Sequence, residues 1–194
     1  MKKVRIPALA LCAIISLYSC KKDDASSGGV KADPNPPITY LKTGNKWVYN
    51  ITGGILAFSY STSTQEITAN NNGIFTLAVT FDNDKSTAFE YYSNGFLCTY
   101  DDGESIGPDQ PILKFTNAQV GDKWTRITPS ETYYHELESL NESVTVPAGT
   151  FICKKIKTTF KNAFNDQTSY WSDQYGEIKI EGLSAEMELA SKNF

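Results

Sequence analysis

From residue 38 onward, apolar positions recur at every second residue in short runs, and Gly, Asn, Asp and Ser separate the runs. Trp47, Tyr49 and Ile51 open the series, and Gly53-Gly54 can turn the chain after them. Residues 55–67 are rich in Ser, Thr and aromatics and end near the Asn-rich cluster 70–73. Residues 74–81 set Phe75, Leu77, Val79 and Phe81 on one face and Ile74, Thr76, Ala78 and Thr80 on the other, the period of a strand. Residues 87–92 and 96–100 flank Asn94-Gly95, a pair that tolerates the positive φ of a two-residue hairpin turn. The second half offers strands at 112–115, 123–128, 132–137, 143–146, 150–160, 167–172, 177–181 and 186–190. No segment sustains a capped helical stripe. About ten to thirteen short strands predict an all-β domain, an antiparallel meander forming a barrel-like or half-barrel sheet, with a β-sandwich as the alternative.

The two halves echo each other. TGNKWVYNIT, from Thr43, is similar to VGDKWTRIT, from Val120, so that Gly44, Lys46 and Trp47 match Gly121, Lys123 and Trp124. In each, a turn glycine feeds a strand whose tryptophan is a core candidate. The echo fits either a duplicated half-domain or the recurrence of a useful turn.

The N-terminus has a different character. Lys2, Lys3 and Arg5 precede a mostly apolar run, residues 6–17, too short to span a bilayer. Leu17-Tyr18-Ser19-Cys20 resembles the lipobox of bacterial lipoproteins, which are cut before the cysteine and acylated on it. The following Lys21, Lys22, Asp23 and Asp24 resemble the charged start of Bacteroidetes-type lipoproteins, where such a tract implies export to the cell surface. Ser, Gly and Pro then make residues 25–37 a tether. The expected organisation is a signal peptide at 1–19, a lipidated cysteine and tether at 20–37, and one domain at 38–194. Loss of the signal removes three of the 18 Lys+Arg and none of the 22 Asp+Glu, deepening the formal net charge from −4 to about −7. That balance disfavours nucleic acid and anionic headgroups as partners.

A second resemblance spans most of the domain. The first Gly-x-x-Trp, the second at Gly121, Val146-Pro147-Ala148-Gly149-Thr150-Phe151 with Cys153, and Tyr170-Trp171 before Gly176 and Ile178 resemble a family of secreted bacterial β-proteins, some grouped under the name TapB. The resemblance implies a curved antiparallel sheet or barrel, in the manner of lipoprotein and lipid carriers, and no catalytic residues. Read physically, the Val-Pro-Ala-Gly unit is a hairpin corner, since Pro147 removes a ladder donor and Gly149 permits positive φ.

Few residues carry recognisable chemistry. The single histidine, His135, lacks the partners of a zinc site and reads as a surface or edge residue. Cys98 and Cys153 are the cysteines left after processing, fit either for one disulfide in an oxidising compartment or for two buried thiols. Asp82-Asn83-Asp84 and Asp101-Asp102-Gly103-Glu104 lack calcium-loop spacing and read as polar turns. No nucleophile elbow, phosphate loop or cofactor motif is present, so no metal or cofactor is expected. Adjacent aromatics face opposite ways on a strand, which makes Tyr92, Tyr134 and Trp171 candidate ligand-facing rings; the alternative is that they cover sheet faces. The chain is thus expected to be a non-catalytic, lipid-anchored outer-membrane protein at the cell surface, binding a glycan, lipid or protein. A half-barrel carrier of an apolar ligand on the periplasmic face comes second. A hydrolase comes third, marked by paired polar groups converging in a cleft.

Overall fold

A computed structural model describes residues 32–101, 110–162 and 166–194. Cys20 and the export tract Lys21, Lys22, Asp23 and Asp24 lie outside the described residues, as do Asp102, Gly103 and Glu104 of the second acidic turn. The described strands are β1 (Lys46–Gly53), β2 (Thr62–Asn71), β3 (Ile74–Phe81), β4 (Asp84–Ser93), β5 (Phe96–Asp101) and β6 (Pro111–Lys114). They continue with β7 (Lys123–Ile127), β8 (Thr132–Val146), β9 (Gly149–Phe160), β10 (Asp166–Ser172), β11 (Gly176–Gly182) and β12 (Glu186–Lys192). All twelve belong to one antiparallel sheet in meander order, with β1 laddered to β12, so the sheet curls into a nearly closed barrel rather than a sandwich. The remaining gap lies between β6 and β7, which approach without a ladder.

Alternation decides the interior. Trp47, Tyr49 and Ile51 of β1 and Phe75, Leu77, Val79 and Phe81 of β3 are buried in the main core, as their period-two spacing requires. Residues 55–58 depart from the strand expectation and form a 3-10 turn, whose Leu56 is buried. Asp82 fixes that loop: its carboxylate accepts hydrogen bonds from the backbone and the hydroxyl of Ser61 and of Thr62, at 2.9–3.1 Å. The strands expected at 132–137 and 143–146 are one long β8, because two irregularities between Leu137 and Glu142 bend it without ending it. Beyond them the β8–β9 hairpin folds over one end of the barrel, and Ala148 N–H donates to Leu189 O at 3.1 Å. The Val-Pro-Ala-Gly unit is the corner of this hairpin, with Gly149 at φ 132°.

The same end is plugged by the chain's own beginning. Asp33 N–H donates to Tyr92 O at 2.9 Å, and Ile38, Tyr40 and Leu41 are buried in the core. Gly73 makes this possible, because a Cβ there would sit 2.2 Å from Asp33 O. The packed unit therefore begins before residue 38, within the stretch read as tether. The carboxyl-terminal end returns to the same place, where Lys46 N–H donates to Asn193 Oδ1 at 2.8 Å.

The internal echo is structural. Gly44 (φ 91°) and Gly121 (φ 92°) donate to Ile67 O and Leu137 O, each at 2.8 Å. Ile67 and Leu137 donate back to Asn45 O and Asp122 O at 3.0 and 2.9 Å. Cross-strand pairs Lys46–Glu66 (3.7 Å) and Lys123–Glu136 (3.1 Å) also correspond. The first and second six strands open with the same device, and the zipped β1–β12 junction is matched by the open β6–β7 seam.

Candidate functional site

The barrel interior keeps a cavity of about 160 Å³. Its wall is not uniformly apolar: β4 sends in Glu90, β11 Glu177, β7 Arg126 and β8 His135, among Trp47, Tyr49, Leu77, Val79 and Trp171. Tyr40, from the plug, forms part of the floor and packs edge-on against Trp47 at 6.0 Å.

Glu90 and Glu177, both half-buried, come from strands five steps apart around the sheet and line the same cavity. Burial alone raises Glu90 to about 7, while burial and the neighbouring Glu90 raise Glu177 to about 8. No cation or hydrogen bond among the described residues offsets either shift. Their surroundings are phenolic: burial first, then Glu90 among its charged neighbours, holds the Tyr40 hydroxyl well above its usual range. The Tyr49 hydroxyl, raised for similar reasons, donates to Glu177 O at 3.0 Å. The Tyr40 hydroxyl is buried with no hydrogen-bond partner among the described residues.

A second polar group lies on β7 and β8. His135 stacks between Trp124 (5.4 Å) and Tyr133 (6.4 Å), and its Nδ1 lies 2.9 Å from Thr158 Oγ1. Burial, then the nearby Arg126, lowers its pKa to about 3, so the ring is neutral at ordinary pH. Arg126 is only 7% exposed. Its Nε donates to Gln110 Oε1 at 3.0 Å across the β6–β7 seam, and its guanidinium lies 5.2 Å from the Tyr133 ring centroid. Neither contact supplies a negative charge.

Several expectations change. His135 is interior rather than a surface or edge residue, because its alternation is in phase with buried Tyr133 and Leu137. Of the two readings of Cys98 and Cys153, the structure has the two buried thiols and no disulfide. Cys98, on β5, packs with Tyr91 and Tyr100 in a cluster separate from the main core that holds Cys153 of β9. Burial, with Asp173 and Glu142 adding to it, pushes the Cys153 thiol up to about 12. The adjacent Lys154 is buried and bonded to Asp173 at 2.5 Å. Of the three candidate aromatics, only Trp171 lines the cavity, with Nε1 donating to Ser169 Oγ at 3.1 Å. Tyr92 is buried beside Phe115 with its hydroxyl on Thr116, and Tyr134 is exposed on the outer wall. Tyr91 and Tyr92 do split between faces, yet neither is exposed, because Tyr91 packs on the opposite face in a second cluster that Ala32 joins.

Sequence reasoning missed the charged residues of this site. Glu90 shares a face with Ala88 and Tyr92, but Phe89 and Tyr91 make the opposite face look like the core. Glu177 is hidden by a bulge: Trp171 pairs with Glu177 while Tyr170 pairs with Lys179, so the extra residue Ile178 lets Glu177 and Ile180 both face inward. Arg126 was legible, being two residues beyond Trp124 on the same face.

Fold and site together define a class: a nearly closed antiparallel barrel with a polar internal cavity. Compared with known protein families, curated proteins and solved structures, the chain matches none.

Proposed function

We propose that this chain is a lipid-anchored, non-catalytic protein of a Bacteroidetes-type cell envelope, whose TapB-like barrel binds one small polar ligand in its interior. The anchor rests on Leu17-Tyr18-Ser19-Cys20, and display at the outer-membrane surface rests on Lys21, Lys22, Asp23 and Asp24. The binding function rests on one observation, that Glu90 and Glu177 line a cavity without a compensating partner among the described residues. Buried ionisable groups are costly unless something pairs with them, and a ligand is what an internal cavity can supply. A purely apolar ligand would leave both carboxyls desolvated, which turns the carrier idea toward polar cargo.

A hydrolytic reading has one observation in its favour. Two carboxyls in one cavity, raised to about 7 and about 8, each titrate near neutrality, as an acid–base pair requires. Binding remains the stronger reading, because the pair lies inside a barrel whose one end is closed both by the plug that carries Tyr40 and by the β8–β9 hairpin.

Native mass spectrometry of the protein extracted from its own envelope tests anchor and ligand together. Fatty-acid mass on an N-terminal Cys20 and a non-covalent occupant lost on denaturation are expected, and Ala88→Leu, which fills the cavity, should remove the occupant alone. An unmodified N-terminus would end the anchor. Barrels empty under all gentle extraction conditions would end interior binding.

A further inference from the structure

We propose that the occupant is a small zwitterion, its cationic end held between Glu90 and Glu177 and its anionic end at Arg126. This rests on the interior-binding reading above and specifies the ligand.

Three observations carry it. First, acidic and basic side chains line the same cavity without meeting one another. Glu90 and Glu177 make no ion pair, and Arg126 makes none either among the described residues, its contacts being to neutral Gln110 and Tyr133. A guanidinium 7% exposed and without a carboxylate among the described residues is an unbalanced charge.

Second, both ends hold a polar atom that is buried and unpartnered among the described residues. At the acidic end it is the hydroxyl of Tyr40, a residue 2% exposed; at the basic end it is Nε2 of His135, 8% exposed. Both residues line the cavity. Each atom is a hydrogen-bonding position that the fold leaves unused.

Third, aromatic side chains line the acidic end. Trp171 is the cross-strand partner of Glu177, and Tyr49 bonds to the backbone of that residue. Such rings favour an ammonium over a neutral donor. At the other end, the forked guanidinium suits a carboxylate or phosphate.

Single-charge ligands satisfy only half of this site. An amine would leave Arg126 unbalanced, an organic acid would leave Glu90 and Glu177 protonated and without a partner, and a neutral ligand would serve neither end. A dipolar molecule satisfies both and adds no net charge.

The test uses the full-length lipidated protein in detergent micelles, after washing out any occupant. Calorimetric titration with ω-amino acids of three to six carbons is compared with the amine, acid and alcohol of matched length. At least one ω-amino acid should bind about tenfold more tightly than each matched single-charge or neutral probe, as one charge-assisted hydrogen bond requires. Glu90→Gln with Glu177→Gln should reduce it to the affinity of the acid, and Arg126→Gln to that of the amine. Because the probes are compared on the wild-type protein, an unfolded variant does not decide the outcome. An amine, acid or alcohol binding as tightly as its zwitterion would overturn the proposal while leaving interior binding intact. Failure of every probe would overturn it too, and an occupant still seen by mass spectrometry would then keep interior binding alone.

Discussion

Glu90 and Glu177 hold their protons in the folded barrel up to about 7 and about 8, but release them near the ordinary 4.5 once the chain unfolds. Between those limits the unfolded chain binds fewer protons, so their contribution to stability falls as pH rises. His135 acts in the opposite sense: neutral down to about 3 when folded and ordinarily 6.5, it favours the folded state increasingly as pH rises from about 3 to 6.5. Above about pH 6.5 only the carboxyl effect remains. The melting temperature of the empty barrel should therefore decline from about pH 6.5 to 8, and Glu90→Gln with Glu177→Gln should flatten that decline. Thermal unfolding followed across this window decides the matter, and an unchanged slope in the double variant would count against the assignment. Stability lost to buried acids is what one expects where a side chain serves a ligand rather than the fold.

At the scale of elements, the repeated turn-to-strand device makes a paired claim. Ile67 and Leu137 are both fully buried and occupy corresponding hydrogen-bonded positions opposite Gly44 and Gly121. Leu137→Ala should cost about 2–5 kcal/mol, and Ile67→Ala a similar amount, measurable by denaturant unfolding. A loss near zero at one site and a full loss at the other would show that the two halves are not mechanically equivalent. Much of this level was legible in the sequence. Alternation in 74–81, the Asn94-Gly95 turn and the two Gly-x-x-Trp units gave the strands and their facing, because period two has one reading when only one face is apolar. The reading failed where both faces carry aromatics, as at Phe89 to Tyr92, and where a bulge shifts the phase, as at Ile178. Those are the places that hide Glu90 and Glu177. Equivalent frames also carry different cargo: the positions filled by Tyr49 and Gln65 in the first half hold Arg126 and His135 in the second. A repeat visible in the backbone signal gave no hint of that divergence.

For the whole molecule, the position of the seam matters more than its narrowness. The ladder that joins the halves runs between β1 and β12, at the two ends of the chain, while the covalent link between the halves follows β6, beside the junction that has no ladder. Connectivity and cohesion are thus carried on opposite sides of the barrel. The peptide bond between Ala118 and Gln119 can be absent without removing any sheet hydrogen bond. Two genes, one encoding residues 1–118 and the other 119–194, should yield chains that find each other through β1 and β12 and copurify. The same experiment with the break between Pro147 and Ala148, inside the long β8–β9 hairpin, should yield less complex. If the first pair fails to associate while the second succeeds, the seam is not where the molecule divides. A barrel arranged in this way can be assembled from parts, and its acidic end is complete only when they meet: Glu90 would arrive on one chain, Glu177 and Arg126 on the other.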